Sequence, residues 1–206
     1  MENKEIREPI QKRSIQKKES IISKGFELIC QKGYYNTNTA EIAKAAGVST
    51  GIVYQYFKDK HDILIAGLEK YGIDILFPKY EPYLLEIEAN KINQSNIEGF
   101  LSKIIEESIT SHTMSQTAHR EITAMEHSDA EVAKVMHNRE EEITQKFVSS
   151  IKQSKINIIN LPEKVHLIYG MIDNLCHEIV YHKHQIIDYK VMKQLVIKAI
   201  VSLIYE

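Results

Sequence analysis

Residues 37–64 read TNTAEIAKAAGVSTGIVYQYFKDKHDIL, and this stretch decides the fold of the N-terminal part of the chain. Its apolar spacing predicts two short helices at a steep angle, followed by the start of a longer one. Asn38 and Glu41 have the spacing of a capping box at the start of the first helix. Gly47 permits the left-handed backbone that ends this helix, and a second helix follows over Thr50–Tyr56. The layout is that of a helix-turn-helix, whose second helix enters the major groove of DNA.

The second helix and its flanks carry groups that suit contacts with DNA. Thr50, Gln55 and Tyr56 are predicted to reach bases and the nearby backbone, and Gln55 can pair bidentately with adenine. Gly51 lets the backbone approach another molecule closely, and Lys60 can share a phosphate with helix amides. An ordinary αα-hairpin shows the same bare pattern, and these polar groups weigh against that alternative. The candidate DNA-binding residues are Thr37, Ser49, Thr50, Gly51, Gln55, Tyr56 and Lys60, with Thr37, Ser49, Tyr56 and Lys60 expected on phosphates.

Many separated positions between Ser20 and Leu64 form one specific pattern. They are Gly33, Tyr34, Thr37, Ile42, Ala43, Ala46, Gly47, Val48, Ser49, Gly51, Tyr54, Gln55, Tyr56, Phe57 and Lys60. In these positions the chain resembles the DNA-binding domain of the TetR/AcrR family of repressors. It departs from the family at Ile52, where threonine is frequent, which puts a hydroxyl contact to DNA there in doubt. The resemblance implies a homodimer on operator DNA and a helical C-terminal domain with an internal pocket for a small effector.

Composition indicates an all-α protein. Hydrophobic residues make up 43% of the 206 residues, and only 8 Gly and 4 Pro are present to interrupt helices. Cys30 and Cys176 lie far apart on apolar helical faces, so buried thiols in a reducing cytoplasm are expected rather than a disulfide. No apolar run is long enough to span a membrane, and the N-terminus is charged rather than signal-like. We therefore expect a cytoplasmic protein with no membrane partner.

Charge is distributed unevenly along the chain. Residues 1–60 contain 11 Lys and Arg against 7 Asp and Glu, a net charge of +4. The remaining residues contain 15 against 21, a net charge of −6, and the two parts together give the chain's −2. This asymmetry favours a basic DNA-binding head on an acidic body.

The chain divides into three predicted parts. Residues 1–16 are a flexible basic N-terminal arm, for which minor-groove contact and a solvated tail remain alternatives. Residues 17–64 form the three-helix, helix-turn-helix DNA-binding domain, and residues 65–206 form a larger helical effector-binding and dimerisation domain. After Pro82 the chain is predicted to be irregular as far as Ser95. Outside the motif, helices are predicted over residues 17–31, 60–77, 96–112, 116–126, 129–154, 162–183 and 188–205.

The last two predicted helices, 162–183 and 188–205, indicate a homodimer. Apolar residues of the final helix cover far more than one face, so this helix needs partners on two sides. One side can face the domain's own core and the other a second copy, as a four-helix interface. A deeply buried central helix in a monomer is the alternative.

The sequence contains no recognisable catalytic or metal-binding motif. Of the 9 histidines, His182 and His184 are two apart and point in different directions on a helix. The Cys176–His177 pair lacks the paired spacing of a zinc site. No nucleophile elbow, phosphate loop or dinucleotide fingerprint is present. We expect no enzyme activity, catalytic residue, cofactor or metal.

A C-terminal domain of this size exceeds what holding two DNA-binding heads requires. Candidate effector contacts combine apolar and aromatic side chains with a few polar ones, as pockets do, although each fits a plain core role as well. They are Phe100, Ile104, His119, Met125, Tyr169, Asp173 and His177. The leading hypothesis is a dimeric ligand-responsive transcriptional repressor that binds a palindromic operator through residues 50–56 and a mostly apolar effector. The alternatives are a DNA-binding regulator without an effector and a helical protein-interaction module.

Overall fold

The computed structural model describes residues 11–76, 78–114 and 116–205, and this part of the chain contains ten α-helices and no β-strand. The helices are α1 Lys12–Lys32, α2 Thr39–Ala45, α3 Thr50–Tyr56, α4 Lys60–Leu76, α5 Glu81–Glu88, α6 Ile97–Met114, α7 Gln116–Glu126, α8 Ala130–Gln153, α9 Leu161–Val180 and α10 Tyr189–Tyr205. The predicted all-α class is confirmed. Within the described ranges no helix is both long enough and apolar enough to cross a membrane.

The helices group into two compact units that alternate along the chain. Unit 1 consists of Met1–Leu76 and Ser115–Met136, and unit 2 of Phe77–Met114 and His137–Glu206. The DNA-binding domain is predicted from the sequence to end at residue 64, whereas unit 1 includes all of α4, α7 and the first residues of α8. Periodicity reports which face of a helix is buried but not which partner buries it, so this grouping is not visible in the sequence.

The turns around α2 have the predicted conformations. Asn38 Oδ1 accepts a hydrogen bond from the Glu41 amide at 3.0 Å, and the Asn38 amide donates to the Glu41 carboxylate at 3.3 Å, which completes the capping box. Gly47 has a φ of +67°, the left-handed conformation expected of it. Ser49 occupies the N-cap of α3, although its side chain makes no capping hydrogen bond. The start and end of α3 are those predicted from the sequence.

Two parts of the chain are more helical than predicted. Helix α1 begins at Lys12, so residues 12–16 of the predicted arm belong to its first turns, and residues 1–10 lie outside the described ranges. Helix α5, Glu81–Glu88, forms where the sequence predicts an irregular segment, and that prediction is wrong. Pro82 lies in its first turn, where a missing amide costs no hydrogen bond, so this proline starts a helix instead of stopping one.

Helices α1 and α4 approach closely across the core of unit 1. A Cβ atom at Gly67 would lie 2.5 Å from Phe26 Cδ2, and one at Gly25 would lie 2.6 Å from Ile63 Cγ2. Larger side chains at either glycine would force the helices apart. The core that α2 and α3 complete contains Ile21, Ile22, Ile42, Ala43, Val53, Tyr56, Phe57 and Ile63.

Unit 2 has a separate apolar core to which α6, α9 and α10 contribute. Its members with least exposure are Ile105, Leu175, Cys176 and Ile200. Cys176 and Cys30 are both free thiols, as the sequence predicts. Burial raises the pKa of each thiol to about 12, so neither forms a reactive thiolate at neutral pH.

Candidate nucleic-acid interface and effector cavity

Helix α3 carries a polar, exposed surface on one side and a fully buried residue, Val53, on the other. We call this exposed set the reading surface; its members are Ser49, Thr50, Gly51, Tyr54 and Gln55. Residues four apart share a helical face, which groups Thr50 with Tyr54 and Gly51 with Gln55. The structure thus brings together four of the predicted DNA-binding residues.

Tyr54 belongs to the reading surface but not to the residues predicted from the sequence to bind DNA. Its side chain is 46% exposed, and its hydroxyl lies 2.9 Å from Thr39 Oγ1 at the start of α2. This contact joins the two helices of the motif on their exposed side. The spacing of four between Thr50 and Tyr54 is the available signal, because it places both on one face.

Thr37 and Tyr56, both predicted to contact DNA, lie inside unit 1 instead. Thr37 is 2% exposed, and its hydroxyl donates to the Gly33 carbonyl at 2.8 Å. Tyr56 is 8% exposed and belongs to the core cluster that includes Val53. A hydroxyl suits a phosphate contact and a buried hydrogen bond alike, and residue type does not distinguish the two. Both side chains are buried in the structure, and their contact with DNA stays a prediction.

Lys60 connects the start of α4 to the segment between α1 and α2. Its Nζ donates to the Tyr34 carbonyl at 2.6 Å and to the Thr37 carbonyl at 2.9 Å. The same ammonium lies 4.2 Å from the centroid of the Tyr34 ring, within range of a cation–π interaction. The charge predicted to bind a phosphate therefore has three partners within unit 1.

Helices α7 and α8 supply carboxylates that support the same region of unit 1. The Tyr34 amide donates to the Glu121 carboxylate, and His61 Nε2 lies 2.7 Å from Asp129 Oδ2. His61 Nδ1 lies 3.5 Å from Glu131 Oε2 on the other side of the ring. Burial raises the pKa of Asp129, but the hydrogen bonds that it accepts outweigh this effect and leave it below its usual value. The DNA-binding motif is thus stabilised by residues far from it in sequence.

The first turn of α4 has a group of side chains with cation-like spacing. Ligand atoms of Asp59, His61 and Asp62 lie within 4.8 Å of one another. Asp59 Oδ1 accepts from the His61 and Asp62 amides at 2.7 and 3.2 Å, and Asp62 Oδ2 accepts from the Lys58 amide at 2.7 Å. These carboxylates cap the helix, which accounts for their positions without an ion.

Unit 2 contains an apolar cavity of about 90 Å³. Of the predicted effector contacts, Phe100, Ile104 and Tyr169 line it. Polar side-chain atoms in the lining belong to Tyr169, Tyr80 and Thr144. Removal from water raises the pKa of Tyr80, so its hydroxyl stays protonated at neutral pH. Thr144 Oγ1 is buried and has no hydrogen-bond partner among the described residues, so it is available to a bound molecule.

The other predicted effector contacts do not line this cavity. His119 and Met125 are buried on α7, which belongs to unit 1. Asp173 and His177 lie on α9 in unit 2, outside the cavity lining. Burial lowers the pKa of His177, and the neighbouring Asp173 carboxylate partly opposes this shift. Helical periodicity places all four among apolar faces, but it does not specify which face borders a cavity.

A capped helix-turn-helix with an exposed reading surface, carried by an all-helical chain, defines the class of helix-turn-helix DNA-binding proteins. Residues 21–66 match the family model described as bacterial regulatory proteins, tetR family. Over 54 residues the chain is 46% identical to the HTH-type transcriptional regulator HbdR of Aromatoleum sp. strain CIB. That match covers 26% of this chain and 24% of HbdR, so the chain spans about a quarter of this curated relative.

Solved structures extend the similarity of fold to nearly the whole chain. A crystal structure of a TetR-family transcriptional regulator from Mesorhizobium loti has a TM-score of 0.70 and 16% identity, covering 94% of this chain and 98% of that one. The regulator FadR of Bacillus subtilis, crystallised with stearoyl-CoA, has a TM-score of 0.53 and 21% identity, covering 91% and 99%. The family model confirms the TetR resemblance over residues 21–66, and the solved structures show that nearly the whole chain shares their fold.

Proposed function

We propose that the chain is a dimeric, ligand-responsive transcriptional repressor that binds a palindromic operator in the cytoplasm. The observation that carries this proposal is the presence, in one TetR-family chain, of an exposed reading surface in unit 1 and an apolar cavity in unit 2. An apolar cavity with a few polar groups has the character of a small-molecule site, which favours a regulator that responds to an effector.

The reading surface is proposed to enter the major groove, with Thr50 and Gln55 reading base edges. A bidentate pair between Gln55 and adenine contributes about 1–3 kcal/mol of discrimination. Ser49, at the N-terminal end of α3, and the exposed ammonium groups of Lys44 and Lys58 are proposed to contact phosphates. The buried Thr37 and Tyr56 and the engaged Lys60 would contribute indirectly, by fixing the position of α3 and the start of α4.

Dimerisation is proposed through α9 and α10. Leu167 on α9 is 53% exposed, and Val191 and Leu195 on α10 are 49% and 61% exposed. Burying a leucine side chain contributes about 1.5–3 kcal/mol, so these residues favour cover by a second copy. A twofold dimer places two reading surfaces on half-sites about 34–36 Å apart or somewhat more, which selects a palindrome.

The effector is proposed to be a small, mostly apolar molecule bound in the cavity, with Thr144 Oγ1 hydrogen-bonding to its polar group. The cavity, about 90 Å³, is smaller than the ~150 Å³ cavity that admits benzene in another protein. An effector of benzene size or larger therefore requires a wider cavity. A preference of the effector for the conformation with the wider cavity would couple its binding to DNA affinity. The stearoyl-CoA bound by FadR, whose acyl chain is apolar, is compatible with this class.

Two experiments test the proposal. Selection of bound sites from random duplex DNA should recover an inverted repeat. In a thermal-shift screen of fatty acyl and aromatic compounds, a compound that binds the cavity should raise the melting temperature of the protein through mass action. An inverted repeat without any stabilising compound would support a regulator that lacks an effector. Absence of DNA retention at low salt would support the protein-interaction alternative and reject the proposed function.

A further inference from the structure

Two imidazoles and one carboxylate lie together in unit 2, outside the cavity lining. Asp173 is on α9, and its two oxygens face different histidines. Oδ1 lies 3.4 Å from Nε2 of His112 on α6, and Oδ2 lies 3.7 Å from Nε2 of His177, one turn along α9. The two imidazole rings are 5.2 Å apart between centroids and meet edge to face at 75°. Neither the reading surface nor the cavity uses these side chains.

The orientation of His112 is fixed by hydrogen bonds at both its ring and its backbone. Its Nδ1 lies 2.8 Å from the Ser108 carbonyl, which only accepts, so Nδ1 carries a proton and Nε2 is the nitrogen directed at Asp173. The His112 carbonyl accepts from Tyr181 Oη at 2.9 Å, and the residue is only 3% exposed. In metal sites, a histidine that binds the metal through one ring nitrogen usually donates the other N–H to a carbonyl or carboxylate, which fixes the orientation of the ring.

This orientation directs His112 Nε2 towards the Asp173 carboxylate. The two atoms lie 3.4 Å apart, and a metal ion that displaces any proton from Nε2 can bind both groups. We propose that His112, Asp173 and His177 form a binding site for a divalent transition-metal ion of the zinc type.

The distances suit such an ion after small side-chain rotations. In tetrahedral coordination with bonds of about 2.0–2.1 Å, neighbouring ligand atoms lie about 3.3 Å apart. The two nitrogen–oxygen distances, 3.4 and 3.7 Å, are close to this edge, and a nitrogen of His112 lies within 4.8 Å of one of His177. Two imidazoles and one carboxylate select zinc or a similar metal over calcium and magnesium.

The sequence predicts no metal site because it has no His or Cys residues at the short spacings typical of metal ligands. Ligands that are far apart in sequence give no such signal. His112 and Asp173 lie on different helices, and only the packing of α6 against α9 brings them together. The i, i+4 relation of Asp173 and His177 is visible in the sequence, but a pair of this kind is common on helices without a metal.

Isothermal titration of the full-length protein with zinc chloride tests the site. We expect one zinc ion per chain, with binding weakened at least about 100-fold in Asp173→Asn and in His177→Gln. Asp173 has a side chain 39% exposed, so its variant should keep the parent circular dichroism spectrum. Replacing zinc by cobalt should give visible absorption in the parent that both variants lack.

His184→Gln is the matched control, because His184 Nε2 lies 3.6 Å from the Glu178 carboxylate at an exposed position outside the proposed site. The control variant should bind zinc like the parent. Absence of zinc binding in the parent, binding unchanged in Asp173→Asn, or an equal loss in His184→Gln would each overturn the proposal. The titration contains no DNA, so its failure leaves the proposed regulatory function untouched.

Discussion

Replacing Lys60 by methionine removes the ammonium that bonds the segment between α1 and α2 while keeping most of the apolar stem. Two hydrogen bonds from Nζ disappear, to the Tyr34 and Thr37 carbonyls at 2.6 and 2.9 Å, together with the cation–π interaction 4.2 Å above the Tyr34 ring. Hydrogen bonds from charged donors contribute about 1.5–3 kcal/mol each, and a cation–π interaction about 0.5–2 kcal/mol. Lys60 is half-buried, so water replaces part of this. We expect a decrease of about 2–4 kcal/mol in the free energy of unfolding.

Urea unfolding of the full-length protein, followed by circular dichroism at equal protein concentrations, measures this decrease. The midpoint should fall while the slope with denaturant stays constant, because the surface exposed on unfolding is unchanged. Lys58→Met is the matched control, since Lys58 is exposed and its unfolding free energy should stay within about 0.5 kcal/mol of the parent.

The salt dependence of DNA binding separates the two lysines a second time. Lys58→Met should reduce the slope of log affinity against log salt by about 0.9 for each phosphate that the protein no longer neutralises, whereas Lys60→Met should leave the slope unchanged. If Lys60→Met unfolds at the parent's midpoint and flattens the salt slope, its ammonium serves DNA rather than the fold, and the reasoning is refuted.

Three further substitutions test the reading surface, the cavity and the dimer. Gln55→Ala should reduce discrimination at one base pair by about 1–3 kcal/mol in competition binding, without changing the unfolding midpoint. Thr144→Val should raise the free energy of unfolding by about 1 kcal/mol in urea, because a buried hydroxyl without a partner among the described residues is replaced by a methyl group. Leu195→Glu should convert dimers to monomers in light scattering, since a charge replaces an apolar side chain at the proposed interface.

Each of these expectations has a clear contrary result. An equal loss of affinity for every sequence in Gln55→Ala would make that residue a backbone contact. A destabilised Thr144→Val would mean that the hydroxyl already has a partner in solution. For the dimer, Gln194→Glu provides an exposed control on the same helix. Dimers that persist in Leu195→Glu, or dissociate equally in Gln194→Glu, would contradict an interface centred on Leu195.

Helix caps and turns can be predicted from the sequence when their conformation depends only on a few neighbouring residues. Asn38 and Glu41 form their capping box and Gly47 its left-handed turn because each depends only on adjacent backbone. Pro82 shows the limit of such rules, since the same residue type ends one helix and begins another. The prediction of an irregular segment after Pro82 fails because the sequence does not show whether a helix ends before the proline or begins at it.

The partners of individual side chains are beyond the sequence for a different reason. Lys60 and Thr37 carry groups that suit DNA, yet the structure engages both with main-chain carbonyls of unit 1. Among candidate effector contacts, Phe100 and Tyr169 line the cavity while Met125 lies in the other unit. These three residues are apolar or amphipathic and lie on helices, and only tertiary packing decides which neighbours they contact.

The composition of unit 1 from two separate stretches restricts how this chain can be recombined with related ones. A chimaera with a single crossover near residue 64 would transplant the helix-turn-helix but leave Glu121 and Asp129 behind. The Tyr34 amide and the His61 ring would then lose the carboxylates that bond to them here. An engineered hybrid that keeps its specificity for DNA should carry residues 11–76 and 116–136 as a joint graft, with two additional junctions in the recipient.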